Sequence, residues 1–181
     1  MKTVIVFESM FGNTEQLARE IGDGLAAEGG QVALADVRHV RPADFVGCDL
    51  VVIGAPTHAL SLSRPSTRAD AVRQGASESR AAGGVREWLA DVEEAFPAVE
   101  PRPCVAVFDT RIEKVQHWPG SAARKAARVM RGHRFEVIDH PTSFYVVDVR
   151  GPLVEGERER ARVWARRLQT IVRTRPTRKS A

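Results

Sequence analysis

Short apolar runs alternate with amphipathic stretches along most of this chain. The apolar runs, which predict strands, are 3–7, 31–36, 50–54 and 104–109, with a fifth strand split between 135–138 and 144–147. Apolar residues that recur three or four positions apart predict helices over 14–27, 85–96, 121–131 and 156–172. Residues 50–53 are apolar at every position, as in strands buried on both faces. This alternation predicts βαβ units and an α/β fold with a parallel sheet.

The first strand leads directly into a polar turn that precedes the first helix. The turn contains Ser9, Gly12, Asn13 and Thr14, so hydroxyls and backbone N–H groups meet at the positive end of the helix dipole. Such a turn suits an anion such as a phosphate, although the same side chains could simply cap the helix. It is neither a Walker loop nor a G-x-G-x-x-G dinucleotide turn.

The run Ser9-Met10-Phe11-Gly12-Asn13-Thr14 resembles the phosphate loop of flavodoxins, with Phe11 where that family often has Thr. A second loop, Ala55-Pro56-Thr57-His58, resembles the family's Pro-Thr-aromatic segment beside the flavin ring. The resemblance is to the short-chain type, of which this chain is an atypical basic member. It implies a flavodoxin-like three-layer sandwich with a five-stranded parallel sheet of order 2-1-3-4-5, and it implies FMN as cofactor.

In such a sheet, ligands bind where the carboxyl ends of the strands meet, so three loops are expected at one cleft. The predicted cofactor-binding residues are Ser9, Met10, Phe11, Gly12, Asn13, Thr14, Pro56, Thr57, His58, Ala59, Asp109, Thr110 and Arg111. The third loop lacks the family's stacking Tyr near Asp109, where the nearest aromatics are His117 and Trp118. Asp109 and Thr110 could equally be turn residues that hydrogen-bond locally. No catalytic set and no metal-ligand spacing is apparent.

Length and composition indicate how many domains the chain forms and whether it spans a membrane. A chain of 181 residues with 43% hydrophobic content predicts a single domain over 1–173, followed by a basic tail, 174–181, expected to be disordered. No apolar stretch is long enough for a membrane span, and the first strand leaves no room for a signal peptide. Cys48 and Cys104 show no disulfide or metal spacing, so a cytoplasmic location is expected.

The chain is basic, with a formal net charge of +4 and a pI near 9.6. No nucleic-acid motif accompanies this charge. The basic residues therefore form either an ordinary solvated surface or a surface that binds an acidic protein partner. Arg64, Arg111 and Lys114 lie in loops near the expected flavin, whereas electron-carrying flavodoxins are typically acidic. A nearby cation favours an anionic reduced flavin, so a less negative reduction potential is expected.

Several functions remain compatible with the sequence. The first is an FMN-binding redox protein, which serves a redox partner protein or a small-molecule electron acceptor. It is either a one-electron carrier or a small oxidoreductase, for example one of the protoporphyrinogen-oxidase-like enzymes of the same fold. The alternatives are a flavin-free binding or regulatory module and a site for another phosphorylated molecule. Residues 59–84 fit no periodic element; they predict a lid, a partner-binding loop or a partly ordered segment with a short helix near 68–74.

Overall fold

A computed structural model describes residues 1–96 and 102–175. Five parallel strands form one sheet in the order β2-β1-β3-β4-β5, which confirms the predicted topology. The strands are β1 (Lys2–Phe7), β2 (Gln31–Asp36), β3 (Leu50–Pro56), β4 (Cys104–Ile112) and β5 (Thr142–Val146). The helices are α1 (Asn13–Ala27), α2 (Pro65–Arg73), α3 (Glu78–Ala81), α4 (Val85–Ala90), α5 (Val92–Ala95), α6 (Ala122–Gly132) and α7 (Glu157–Arg173).

Helices cover both faces of the sheet and give the three layers. On one face, α1 and α7 bury Leu17, Ile21 and Leu168 against β1, β3 and β4. On the other face, α4, α5 and α6 contribute Trp88 and Met130 to a second apolar cluster. Each face therefore has its own core, which explains why the central strands are apolar at successive positions.

Two local predictions are refined. The helix predicted over 85–96 is broken at Asp91, whose N–H bonds to the Trp88 carbonyl three residues back (3.3 Å), although Leu89 and Val92 on either side of the break stay buried. The fifth strand is split as predicted, since Val137 forms an isolated parallel bridge to Val105 before β5 pairs with the far end of β4. Neither feature affects the carboxyl ends of β1, β3 and β4, which lie together at one edge of the parallel sheet.

The start of the predicted tail is described. Arg175 follows α7 and contacts the Glu136 carboxylate, and its guanidinium also lies 2.8 Å from Cys104 Sγ. The remaining residues of the predicted tail, 176–181, lie outside the described part. Cys48 and Cys104 are not joined by a disulfide.

Candidate functional site

The turn between β1 and α1 forms a recess at one end of a cleft. Gly12 has φ +92°, in the left-handed region where glycine is preferred, and it precedes the first residue of α1. Glu15 N–H donates to Ser9 Oγ (3.2 Å) and Gln16 N–H donates to the Gly12 carbonyl (2.9 Å). The two helix amides ahead of them, those of Asn13 and Thr14, bond to no acceptor within the described residues. They are therefore left for a ligand, as the first N–H groups of a helix commonly are.

Two threonine hydroxyls meet beside this turn. Thr14 Oγ1 and Thr110 Oγ1 lie 2.8 Å apart, and both side chains are buried. One of the two hydroxyl hydrogens makes this contact, whereas the other needs an acceptor elsewhere. An anion in the recess would provide that acceptor.

The three expected loops line one cleft that is partly open to solvent. The predicted residues that line it are Ser9, Met10, Phe11, Asn13, Thr14, Pro56, Thr57, His58, Thr110 and Arg111. The predicted residues that do not line it are Gly12, Ala59 and Asp109.

Asp109 faces the start of α6 instead of the cleft. Its side chain is completely buried, and its Oδ2 accepts the N–H of Ala123 (2.8 Å). Thr57 Oγ1 similarly accepts the N–H of Ala122 (2.9 Å), although Thr57 also lines the cleft. These two side chains accept N–H groups of the first turn of α6, whose N-cap is Ser121. Asp109 therefore lies within β4 and bonds to a residue distant in sequence, so it is neither a locally bonded turn residue nor part of the cleft lining.

Ala59 belongs to a tight turn that presents His58. The backbones of His58 and Ser61 exchange both hydrogen bonds (2.9 and 3.0 Å), while Ala59 (φ +45°) and Leu60 (φ +61°) both have left-handed conformations. Such a turn normally takes Asn-Gly, so these residues are held under strain at the edge of the cleft. Burial lowers the pKa of His58, so its imidazole is neutral at neutral pH and suited to pack against a ring.

Three apolar residues of the cleft were not predicted. Ile112 ends β4, and Val146 and Val149 lie at and beyond the end of β5. The loop after β5 reaches the turn of α1, where a Cβ on Gly151 would lie 2.5 Å from Asn13 Oδ1. The apolar character of residues 144–147 predicted a strand. It did not predict that this strand and the loop after it would form one side of the cleft.

Residues 59–84 form an ordered buttress behind the β1–α1 turn. Met10 packs with Ala71 and Ala76, and Arg80 donates to the Ser9 carbonyl (3.0 Å) and to Glu15 Oε2 (3.0 Å). Ala71, Ala76 and Arg80 do not line the cleft, whereas Ser9 and Met10, which they contact, do. The segment therefore fixes the turn from outside, and the predicted short helix near 68–74 is α2.

A buried polar cluster joins this buttress to the end of β1. Glu8 is only 1% exposed; its Oε2 accepts the Val85 N–H (2.8 Å), while its Oε1 has no partner among the described residues. Arg68 donates to Ser63 Oγ (3.0 Å) and to Glu87 Oε2 (3.1 Å). Burial raises the pKa of Glu8, although hydrogen bonds from Ser63 and Val85 and the charge of Arg68 oppose the shift.

The raised pKa of Glu8 predicts a pH-dependent stability difference for Glu8→Gln. The folded protein favours the protonated form of an acid whose pKa is raised by folding. The contribution of that group to stability is therefore greatest below its unfolded pKa and is lost as the pH rises through its folded pKa. The variant should thus gain stability relative to wild type, in urea unfolding, as the pH rises above the ordinary carboxyl pKa of 4.5. Glu78→Gln, at an exposed position, controls for loss of one carboxylate. Parallel pH profiles for wild type and Glu8→Gln would contradict the assignment.

Two kinds of feature are absent from the described residues. No group of His, Cys, Asp or Glu side chains there could hold a metal ion. None of the helices there has the length and apolar content needed to cross a membrane.

Comparison with known proteins shows which family this architecture resembles. Residues 5–61 match the family model of flavodoxins, and that stretch contains both the β1–α1 turn and the His58 turn. The fold is flavodoxin-like. No curated protein sequence matches it significantly.

Solved structures resemble the flavodoxin-like chain over nearly its full length. A flavodoxin from the domain Archaea is 17% identical with a TM-score of 0.68, covering 96% of this chain and 99% of its own. Flavodoxin 1 of Bacillus cereus is 14% identical with a TM-score of 0.63, covering 97% of this chain and all of its own. The flavodiiron protein of Giardia intestinalis is 18% identical with a TM-score of 0.65, covering 94% of this chain and 36% of its own. At these identities the likeness establishes the fold.

Proposed function

We propose that this flavodoxin-like protein binds FMN in the cleft and transfers electrons to and from it. The observation that carries the proposal is the continuity of the cleft: the anion recess of Asn13 and Thr14 opens into the same space as Pro56 and His58. A phosphate and a flat ring of one ligand could therefore be held at once. The unpartnered amides of the recess favour a ligand that carries an anionic group.

Each wall of the cleft has a separate task in this proposal. The amides of Asn13 and Thr14 and the threonine hydroxyls hold the phosphate. Neutral His58 and the apolar side chains of Val146 and Val149 contact the ring and exclude water. Bound FMN supplies reversible one- and two-electron chemistry, and the protein sets the potential at which it occurs.

Reconstitution tests the proposal. Apoprotein should quench the fluorescence of FMN on titration and become yellow, with binding much tighter for FMN than for riboflavin, which lacks the phosphate. The difference arises because charge-assisted hydrogen bonds to the phosphate contribute about 1.5–3 kcal/mol each. Absence of binding for both flavins would instead support a flavin-free binding module, and displacement by inorganic phosphate alone would point to another phosphorylated ligand.

An electron carrier is preferred here to a small oxidoreductase because no acid–base set beyond His58 lines the cleft. The proposed partner is an acidic redox protein, since the exposed side chains of Lys114, Arg124 and Arg128 have no acidic partner among the described residues. Complementary charge accelerates encounter, and salt weakens it. A rate of electron transfer that does not fall with ionic strength would count against such a partner.

A further inference from the structure

Arg111 is a buried cation on the wall of the cleft. It is the penultimate residue of β4 and is 4% exposed. Its Nη2 donates to the carbonyls of Val115 and Trp118 (the latter 3.2 Å), which holds the guanidinium inside the third loop. Its Nε is buried without a hydrogen-bond acceptor in the described part of the chain. A buried donor without an acceptor costs free energy unless a ligand provides one.

The charge of Arg111 is also incompletely balanced. No carboxylate among the described residues lies within ion-pairing distance of it. Asp109 is on the same face of β4, two residues earlier, but its Oδ2 is directed to the start of α6. The cleft thus has cationic or donor groups at two places, the recess beside Thr14 and the wall beside Arg111.

The other cations of these loops are different. The side chains of Arg64 and Lys114 are exposed, so water and salt screen their charges. Arg111 is shielded from both, and a shielded charge acts several-fold more strongly at the same distance. Of the three basic residues that the sequence placed near the ring, Arg111 alone combines burial with a position on the cleft wall.

We propose that Arg111 is an anion-binding group at the ring end of the cleft that favours fully reduced, anionic flavin over oxidised flavin. This assignment rests on the proposed function. Two electrons and one proton convert oxidised FMN into the form whose ring carries one negative charge, delocalised over its pyrimidine portion. The buried positive charge of Arg111 would offset that negative charge across the wall of the cleft. The residue therefore selects between redox states of the ligand, and it shifts the potential toward less negative values.

Paired binding measurements test this. Apoprotein is titrated anaerobically with oxidised FMN and with FMN reduced by dithionite, for wild type, Arg111→Gln, Arg111→Lys and the exposed control Arg64→Gln. Wild type should bind reduced FMN at least as tightly as oxidised FMN. Arg111→Gln should weaken the binding of reduced FMN at least tenfold more than that of oxidised FMN, equivalent to about −30 mV for a two-electron couple. Arg111→Lys should keep most of the preference, and Arg64→Gln should leave it unchanged.

The outcomes separate the two proposals. Equal losses for both redox states in Arg111→Gln would mean that Arg111 only braces its loop, which overturns the inference. Wild type that binds reduced FMN tenfold or more weakly than oxidised FMN would overturn it without any variant. Wild type that binds neither redox state would refute the proposed function itself, and the assignment of Arg111 with it.

Discussion

Gly54→Ala is expected to lower the free energy of unfolding by about 3 kcal/mol. Gly54 lies in β3 opposite Phe108 of β4, and a Cβ at Gly54 would lie 2.2 Å from Phe108 Cζ and 2.5 Å from Cε1. The ring cannot move aside easily, because it packs edge-to-face against Phe144 (centroids 5.9 Å apart) and Trp164 (6.1 Å). Urea unfolding followed by tryptophan fluorescence measures the loss.

A matched glycine separates crowding from a general effect of alanine. Gly132 ends α6, and a Cβ there would meet no atom within 4 Å. Gly132→Ala should therefore change stability by no more than about 1 kcal/mol, in the stabilising direction expected for a helix. Adding Phe108→Leu to Gly54→Ala should recover part of the loss, since the smaller side chain gives room. Equal stability of Gly54→Ala and wild type would show that the ring does not cover Gly54.

The fold was largely predictable because its signals are local and repeated. Apolar runs marked the start of each central strand, yet the ends of β3 and β4 were placed too early. β4 was predicted to end at Asp109 but continues through Thr110 and Arg111 to Ile112, and these residues pair with β5. Polar residues occupy this end because one side of it faces the cleft and the start of α6 instead of the core. The apolar run in the sequence ends where side chains stop facing the core, whereas the strand ends where its backbone hydrogen bonds to neighbouring strands stop. The end of the apolar run and the end of the strand are therefore different residues.

The site was most predictable where it is made by one continuous segment. The turn from Ser9 to Thr14 carries its own signal, since the residue types, the preceding strand and the following helix are adjacent in sequence. The role of Asp109 depends on where α6 begins, and the contribution of Val149 depends on how the loop after β5 folds back. Such neighbours are set by tertiary packing. The buttress of residues 59–84 was ambiguous for the same reason, because its partners Ser9 and Met10 are distant in sequence.

Thr14→Val is expected to raise the dissociation constant for FMN about tenfold to a hundredfold, because a hydrogen bond from a hydroxyl to a charged phosphate contributes about 1.5–3 kcal/mol. The substitution keeps the shape of the side chain but removes the hydroxyl that contacts Thr110 Oγ1 (2.8 Å). The Thr110 hydroxyl remains and could still donate to the ligand, so the loss should be partial. Fluorescence quenching titrations with FMN and with riboflavin measure the effect.

Specificity for the phosphate is the decisive part of this result. Riboflavin binding should be unchanged in Thr14→Val, because riboflavin has no group in the recess. Thr67→Val is the matched control: its Oγ1 accepts the Arg64 N–H (2.9 Å) at the start of α2, and Thr67 does not line the cleft. Because the remaining hydroxyl can still donate in either single variant, the double variant should lose more affinity than the two single losses combined. If Thr14→Val weakened FMN and riboflavin equally, the turn would be supporting the ring or the fold, and the phosphate would have to lie elsewhere.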